Sequence, residues 1–488
     1  MLTRGFGSSA SEITQLIERH IMGFEEDEGS TSTGKVVQAD EGFIHCIGVR
    51  GACLNSIVKV GNQFGYVVAM ERNLTHVAML QSPAVAIDST VELLPTASRF
   101  NLPRQSTGRI ESPAICQEDP TTIYIRSCHG FLKMKTISKQ LWTGILPMDC
   151  MSPIGFGQRV GLSGSNMSQL RQLAVQIIKN QQHIGLIDHS IYVSVGQETP
   201  YADELVDLGA TVVTTKMHDT IPVQARGVDI ACEMAQDIVE QSGKNVLMVF
   251  DNLNSIGGVL ASLESRKSLS RNGIQSPWSM VHKSYLEKLG CFNNNSSITA
   301  LCLIHTDNSN ESEKFTDALS GQVDMMVGFE SSRNFQLNLM GEKPPFSQVA
   351  HQGPLFSELA IVVRRTMLDL AKHENNNFMA KQLGLDHRQE DDRLVHLNHA
   401  ANMRSVFESG CLLTSPASKP QVLVSLFLAA HGYLEQPPLP AVEYVQRVTE
   451  IARSKGSIAA VNDETSQLSK NPTLVALLHE IATYSNFM

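Results

Sequence analysis

The sequence predicts an α/β protein in three parts: a small N-terminal β-barrel, a central and mostly parallel sheet with crossover helices, and a C-terminal helical bundle. Three observations predict this architecture. Short alternating segments with glycine turns come first, apolar strands alternating with amphipathic helices follow, and helical patterns alone run from about residue 356 to the end. The chain has 488 residues, of which 42% are apolar and 18% charged, so it is long enough to bury more than one core.

Residues 1–24 are expected to form a helical arm, because Ile13, Leu16, Ile17 and Ile21 recur at helical spacing. An acidic stretch rich in Ser, Thr and Gly follows and is typical of a linker. The barrel domain is assigned to residues 25–82, since five short alternating segments with glycine turns are typical of a small closed barrel. These segments are residues 35–37, 43–47, 56–60, 65–70 and 76–80.

The α/β domain is assigned to residues 83–355 and the helical domain to residues 356–488. Apolar strands alternate with an amphipathic helix over 224–241, a pattern that predicts a parallel sheet covered on both faces. The predicted strands are 191–195, 211–214, 245–251, 298–304 and 323–327. The predicted C-terminal helices are 357–381, 394–409, 421–434, 441–455 and 473–485. No element is assigned between about residues 83 and 140, where strand-like and loop-like stretches mix with five prolines.

Composition narrows the classes of partner. The formal net charge is −10 and the isoelectric point is near 5.9, so no basic face is expected and nucleic-acid binding is excluded. The longest strongly apolar run, residues 422–430, is less than half of the roughly 20 residues that cross a bilayer, so contact with a membrane is expected only through partner proteins. Nine scattered cysteines without a C-x-x-C pair indicate a reducing, cytosolic compartment.

The stretch 143–171 contains an incomplete phosphate-binding motif. A phosphate loop G-x-x-x-x-G-K-[ST] needs a second glycine, a lysine for the β- and γ-phosphates and a hydroxyl for magnesium. Counted from Gly164, these places hold Gln169, Leu170 and Arg171. Leu170 supplies no charge, and Arg171 either swings toward phosphate, points to solvent or pairs with a carboxylate. The candidate nucleotide-binding residues are Gly164, Ser165, Asn166, Met167, Ser168, Gln169, Leu170 and Arg171.

Two further side chains follow predicted strands of the sheet. Asp251 closes the apolar strand over 245–251, where a carboxylate either holds magnesium or caps the next helix. Gln197 follows the strand over 191–195 and is either a water-side or phosphate-side residue or a polar loop residue without a role in chemistry. Because Leu170 offers no cation to the β- and γ-phosphates, the sequence predicts that ATP or ADP with Mg²⁺ is bound weakly or not at all. Because the amide of Gln197 is a poor general base, no residue of this chain is expected to be catalytic.

The motif TGI-x-x-MD-x-x-x-PIG-x-GQR over residues 143–159 resembles the lead-in to the phosphate loop in the α subunit of F-type ATP synthase. The resemblance runs through nearly the whole chain, and only about residues 305–345 align badly. It is carried also by TGKV from residue 33, GVR from 48, IYV-x-x-GQ from 191, LMVFDNL from 247, SITAL from 297 and GYL from 432.

The resemblance implies a P-loop NTPase (RecA-like) central domain and a place among three catalytic β-type subunits that alternate with three α subunits. Central-stalk and peripheral-stalk subunits are the other implied partners. The implied location is the cytoplasmic face of a membrane, the bacterial inner membrane or its organelle equivalent, as a peripheral subunit. The implied function is a non-catalytic, regulatory and structural α-type subunit of a proton-translocating ATP synthase, with a pseudoenzyme scaffold outside any rotary motor as the alternative.

The resemblance also points to a residue that a neighbouring subunit would use. The family lends an arginine finger to the adjacent catalytic site from a Ser-Arg-Val motif, and the best local match here is Ser347-Gln348-Val349. An arginine finger contributes about 10³–10⁵ in rate, so Gln348 at the intersubunit finger position predicts slow adjacent sites unless Arg333 or Lys343 substitutes. Asp251 matches the family's magnesium-side aspartate, Gln197 matches a family glutamine, and Asn252 replaces a second aspartate.

Overall fold

The structure is a computed structural model that describes residues 33–40, 42–54, 56–71, 74–80, 85–94, 108–111, 134–267, 285–307, 315, 317–319, 321–331, 335–338, 354–382, 390–407, 416–454 and 472–485. The chain divides into two compact units, a barrel that ends near residue 96 and a larger unit that contains the central sheet and the C-terminal helices. None of the helices described is long and apolar enough to cross a membrane. The predicted N-terminal arm lies outside the described residues.

The first unit is a closed barrel of six antiparallel strands in the order β1-β2-β5-β4-β3-β6. The strands are β1 Thr33–Asp40, β2 Phe43–Ile47, β3 Ile57–Val60, β4 Gln63–Met70, β5 Thr75–Met79 and β6 Thr90–Leu93. Small branched side chains such as Val36, Val67 and Val77 fill its interior. The sixth strand lies beyond the expected limit at residue 82, because β6 pairs with both β1 and β3 and thereby closes the barrel.

The second unit is built on a nine-stranded, mostly parallel sheet with the order β17-β16-β10-β15-β13-β11-β12-β7, and β14 pairs with β15. Its strands are β7 Gly108–Glu111, β10 Arg159–Gly164, β11 His189–Ser194, β12 Thr211–Thr214, β13 Asn245–Asp251, β14 Gly290–Cys291, β15 Ser297–His305, β16 Met325–Ser331 and β17 Phe335–Asn338. A two-stranded sheet pairs β8 Gln140–Leu141 with β9 Ile154–Gly155. All pairs along β16-β10-β15-β13-β11-β12-β7 are parallel, so the carboxyl ends of these strands meet at one edge.

Helices cover both faces of this sheet. In the central domain they are α1 Leu146–Met151, α2 Met167–Ile184, α3 Ala202–Asp207, α4 Ile221–Ser242 and α5 Leu253–Lys267. The C-terminal helices are α6 Pro354–Gln382, α7 Glu390–Phe407, α8 Lys419–Ala430, α9 Ala441–Ser454 and α10 Pro472–Ser485. Successive residues of β13 face opposite cores: Val249 packs on the side of α2, and Met248 and Phe250 pack on the side of α4.

The predicted architecture of barrel, parallel sheet and helical bundle is confirmed, and the predicted strands and helices agree with the observed ones to within a few residues. The C-terminal helices share one apolar core with a face of the sheet, since Phe356, Phe407 and Phe427 belong to the same buried cluster as Leu162 and Leu170. Strand β7 at the sheet edge lies in the stretch for which the sequence predicted no element. It is short and half-exposed, and its pattern carries little apolar signal.

Candidate functional site

The connection between β10 and α2 is short. Strand β10 ends at Gly164 and helix α2 begins at Met167, so only Ser165 and Asn166 link them. The side chain of Asn166 caps the helix by accepting a hydrogen bond from the backbone N–H of Gln169 at 3.3 Å. A phosphate loop has four residues between its glycines and cradles phosphate with free backbone N–H groups. Here Met167 and Ser168 are already helical, and one N–H of the first turn is bound by the chain's own cap.

Leu170 lies where the motif requires a lysine, and its side chain is fully buried. It belongs to the apolar core that α2 forms with the sheet, together with Leu162 and Leu173. Gly164 faces it closely, since a Cβ placed on that glycine would lie 3.6 Å from Cδ1 of Leu170. A leucine in this place therefore fills the base of the turn with hydrocarbon and presents no cation to a phosphate.

Arg171 forms an ion pair with Asp251 across the carboxyl edge of the sheet. Its Nε atom donates to both carboxylate oxygens, at 2.9 Å to Oδ1 and 3.0 Å to Oδ2. The Asp251 side chain is fully buried and that of Arg171 is 15% exposed. Of the alternatives that the sequence left open for Arg171, the structure contains the pairing with a carboxylate. Asp251 accordingly faces an internal cation at the end of β13.

Gln197 holds the same pair from the end of β11. Its Oε1 accepts from Nη2 of Arg171 at 2.8 Å, and its Nε2 donates to the backbone carbonyl of Asp251 at 3.2 Å. Asn252 donates to Oε1 of Gln197 at 3.4 Å and to Oγ of Ser255 at 2.9 Å. Asn252 has φ of 55°, a left-handed conformation that asparagine tolerates better than most residues. The four side chains Arg171, Gln197, Asp251 and Asn252 form one polar network, called the edge network below.

The charges of the edge network are set by burial and by each other. Burial raises the pKa of Asp251, while Arg171 and the hydroxyl groups of Tyr192 and Ser194 oppose that rise. Burial is the largest single influence on Arg171 and disfavours its charged form. The charge and hydrogen bond of Asp251, together with Tyr192 and Tyr201, nevertheless give a net rise in the pKa of the guanidinium. Tyr192 and Ser194 were not predicted as site residues. Both residues occupy alternate positions of β11, and β11 pairs with β13, which ends at Asp251. This alternation is the only feature of the sequence that could have placed them beside Asp251.

The lead-in motif has a structural role at a second buried carboxylate. Asp149 accepts hydrogen bonds from the backbone N–H of Thr143 at 2.9 Å, from its hydroxyl at 2.8 Å and from the N–H of Gly144 at 2.9 Å. Farther along, Arg159 donates to Asp324 through Nε at 3.1 Å and through Nη2 at 2.8 Å. These contacts join the lead-in to itself and to Asp324, the residue just before β16, which pairs with β10.

Asp149 is expected to make folding stability depend on pH. Burial raises the pKa of Asp149 from 3.8 to about 7, although three donors stabilise its charged form. Between these values the folded chain binds more protons than the unfolded chain, so the contribution of Asp149 to stability falls as the pH rises and levels off above about pH 7. The slope is at most about 1.4 kcal/mol per pH unit.

The measurement is urea unfolding of the wild type and of Asp149→Asn at pH values from 5 to 8. The asparagine variant does not titrate, so the wild-type stability minus that of the variant is expected to fall up to pH 7 and to be constant above it. A difference that is independent of pH, or that rises with pH, would contradict the assignment.

Several predicted positions lie outside the described residues. Gln348 and the substitutes considered for it, Arg333 and Lys343, are among them. The intersubunit finger position therefore stays a prediction. Within the part of the chain that the structure describes, no group of three or more histidine, cysteine, aspartate and glutamate side chains is arranged to hold a metal ion.

The fold and the site define a class of protein. Along the chain, a barrel is followed by a P-loop-type parallel-sheet domain and then by C-terminal helices, and residues other than lysine and a hydroxyl occupy the phosphate-loop positions. Residues 144–338 match the model of the ATP synthase alpha/beta family, nucleotide-binding domain. The matched residues cover the central sheet, and the chain is similar to ATP synthase α subunits over most of its length.

The curated relatives carry the same name and are distant in sequence. ATP synthase subunit alpha of Lawsonia intracellularis is 24% identical over 500 residues, covering 94% of this chain and 96% of the relative. The subunit of Orientia tsutsugamushi is 23% identical over 469 residues, covering 89% and 90%. The subunit of Desulfovibrio desulfuricans is 26% identical over 322 residues, covering 61% of this chain and 63% of the relative. This match therefore spans less than two thirds of the length of that relative.

Proposed function

We propose that this chain is a non-catalytic, regulatory and structural α-type subunit of a proton-translocating F-type ATP synthase. It contributes to ATP synthesis driven by a transmembrane proton gradient, together with a catalytic β-type subunit. The observation that carries the non-catalytic role is the pair of Arg171 with Asp251, since the carboxylate that would serve metal-assisted phosphate chemistry is bound by the chain's own guanidinium. Similarity to ATP synthase α subunits over most of the chain supports the assembly.

The proposal assigns the remaining roles as follows. Residues Gly164 to Arg171 are a degenerate phosphate loop, and ATP or ADP with Mg²⁺ binds weakly or not at all. The partners are β-type subunits in an alternating ring with central-stalk and peripheral-stalk subunits. The chain is a peripheral subunit at the cytoplasmic face of its membrane, or at the equivalent face in an organelle, and contacts that membrane through its partners.

The test is co-expression with a β-type subunit of the same organism that carries an intact G-K-[ST] loop. We expect a hetero-oligomer of alternating subunits by native mass spectrometry, with ATP turnover that is lost when the loop lysine of the β-type subunit is replaced. The purified chain alone is expected to show no magnesium-dependent ATP turnover. Asp251→Ala serves as a control for contamination, because a trace activity that persists in this variant does not arise from the edge network.

The second candidate is a pseudoenzyme scaffold with the same fold that takes part in no rotary motor. It is favoured by the same edge network, since a subunit that needs no nucleotide is free to assemble elsewhere. Exchange of this chain for the α subunit of an active complex separates the two functions. Proton-driven ATP synthesis after the exchange would eliminate the scaffold, whereas free monomer without any stable complex would contradict the α-type assignment.

A further inference from the structure

We propose that the guanidinium of Arg171 takes the place of a divalent cation as the counter-ion of Asp251, so that the edge network keeps its folded arrangement without metal or nucleotide. The family implies Mg²⁺ with a bound nucleotide, and the residues present do not fit that ion. This inference concerns the edge network alone and holds whether or not the chain joins an ATP synthase.

The first argument is the set of donors and acceptors at the end of β13. A magnesium ion needs oxygen ligands that are free of other cations. Both carboxylate oxygens of Asp251 accept from Nε of Arg171, and the side-chain oxygen of Gln197 accepts from Nη2. The position that would offer a hydroxyl oxygen to the metal is Arg171 itself. The oxygen atoms suited to Mg²⁺ are thus bound to a cation that belongs to the chain.

The second argument is burial. Asp251 is fully buried, and an ionised carboxylate in such a place must be paired or it becomes neutral. In a metal-dependent site the pairing comes from the bound ion, and the empty site carries an uncompensated charge. In this chain the counter-ion is a side chain of the protein itself, because Arg171 lies on α2, one turn after the first helical residue Met167.

The third argument is that the network has little freedom to open toward phosphate. Gln197 is fixed on one side by Arg171 and on the other by the backbone carbonyl of Asp251. The phosphate side is occupied by the buried side chain of Leu170 and by the first turn of α2, which starts at Met167. A guanidinium that moved to a phosphate would leave the buried carboxylate without its counter-ion.

The test measures the thermal unfolding of the purified chain with MgCl₂ and with EDTA. For the wild type we expect the same unfolding temperature in both conditions and no saturable binding of Mn²⁺ in electron paramagnetic resonance titrations. Arg171→Met is expected to lower the unfolding temperature by about 5 °C or more, since a buried carboxylate loses its partner. The double variant Arg171→Met with Asp251→Asn is expected to recover most of the loss, because no charge is then left unpaired.

Arg365→Met is the matched control, since Arg365 is exposed on α6 and its loss is expected to change the unfolding temperature by less than 1 °C or so. Magnesium-dependent stabilisation of the wild type that is lost in Asp251→Asn would overturn the proposal. So would an Arg171→Met variant as stable as the wild type. If Arg171→Met does not fold, the wild-type measurements with Mg²⁺, EDTA and Mn²⁺ still decide the outcome.

Discussion

Leu170→Lys is expected to destabilise the chain by about 3–5 kcal/mol, because it places an ammonium group in a fully buried apolar core. The substitution restores the residue type of a working phosphate loop, yet it lowers stability. Removal of the leucine side chain costs packing against Leu162 and Leu173. The new charge has no anion to meet, since the first turn of α2 occupies the place of the phosphate cradle.

The measurement is urea unfolding at neutral pH, with Leu170→Met as the control. Methionine conserves volume and polarity, and its cost is expected to stay below about 1.5 kcal/mol. Equal stability of the lysine variant and the wild type would show that the turn opens to water or to an anion, contrary to the packing described above. Mg-ATP is expected to recover little of the loss in the lysine variant.

Gly157→Ala is expected to destabilise the chain by more than about 4 kcal/mol. Gly157 lies in the lead-in motif with φ of +79°, and a Cβ there would lie 2.4 Å from the backbone N of Cys291 and 2.5 Å from the backbone C of Gly290. Its own N–H donates to Oγ1 of Thr299 at 2.9 Å. The backbone of β14, which pairs with β15, therefore has to move.

Gly185→Ala is the matched control for Gly157→Ala. Gly185 ends α2 with φ of +70°, but nothing lies within 4 Å of a Cβ placed there. Only the backbone strain remains in that variant, and its cost is about 1–2 kcal/mol. Thermal or urea unfolding of both variants measures the difference. Similar losses in the two variants would mean that strain at positive φ, and not the close approach to Cys291, accounts for the requirement at Gly157.

The lead-in motif holds strands of the sheet together, whereas a phosphate loop serves nucleotide binding. Gly157, Gln158 and Arg159 are held by contacts with neighbouring strands: Gln158 is buried, and Arg159 binds Asp324 on both of its side-chain oxygens. These residues position β10 in the sheet through contacts within the protein. Their contacts do not depend on the lysine and hydroxyl of a phosphate loop, so this motif keeps its resemblance to ATP synthase α subunits where the loop positions hold Leu170 and Arg171.

The order of most strands and helices was predictable from periodicity, because buried parallel strands are continuous apolar runs and the helices carry one apolar face. The barrel strand β6 and the edge strand β7 could not be predicted from periodicity. Each has four residues and is only partly buried, so pairing with neighbours far away in sequence decides its conformation. Their positions depend on tertiary contacts that a local pattern does not contain.

The sequence by itself determined the architecture and the missing lysine and hydroxyl at Leu170 and Arg171, because residue types at fixed spacing are visible without a structure. Only the tertiary structure decided which partner Arg171 takes. The sheet order places β15 between β10 and β13 and brings β11 beside β13, so side chains that are 80 and 26 positions apart from Arg171 meet it at one edge. Arg171 binds a carboxylate, and not phosphate or solvent, because the buried Asp251 at this edge of the sheet requires a counter-ion.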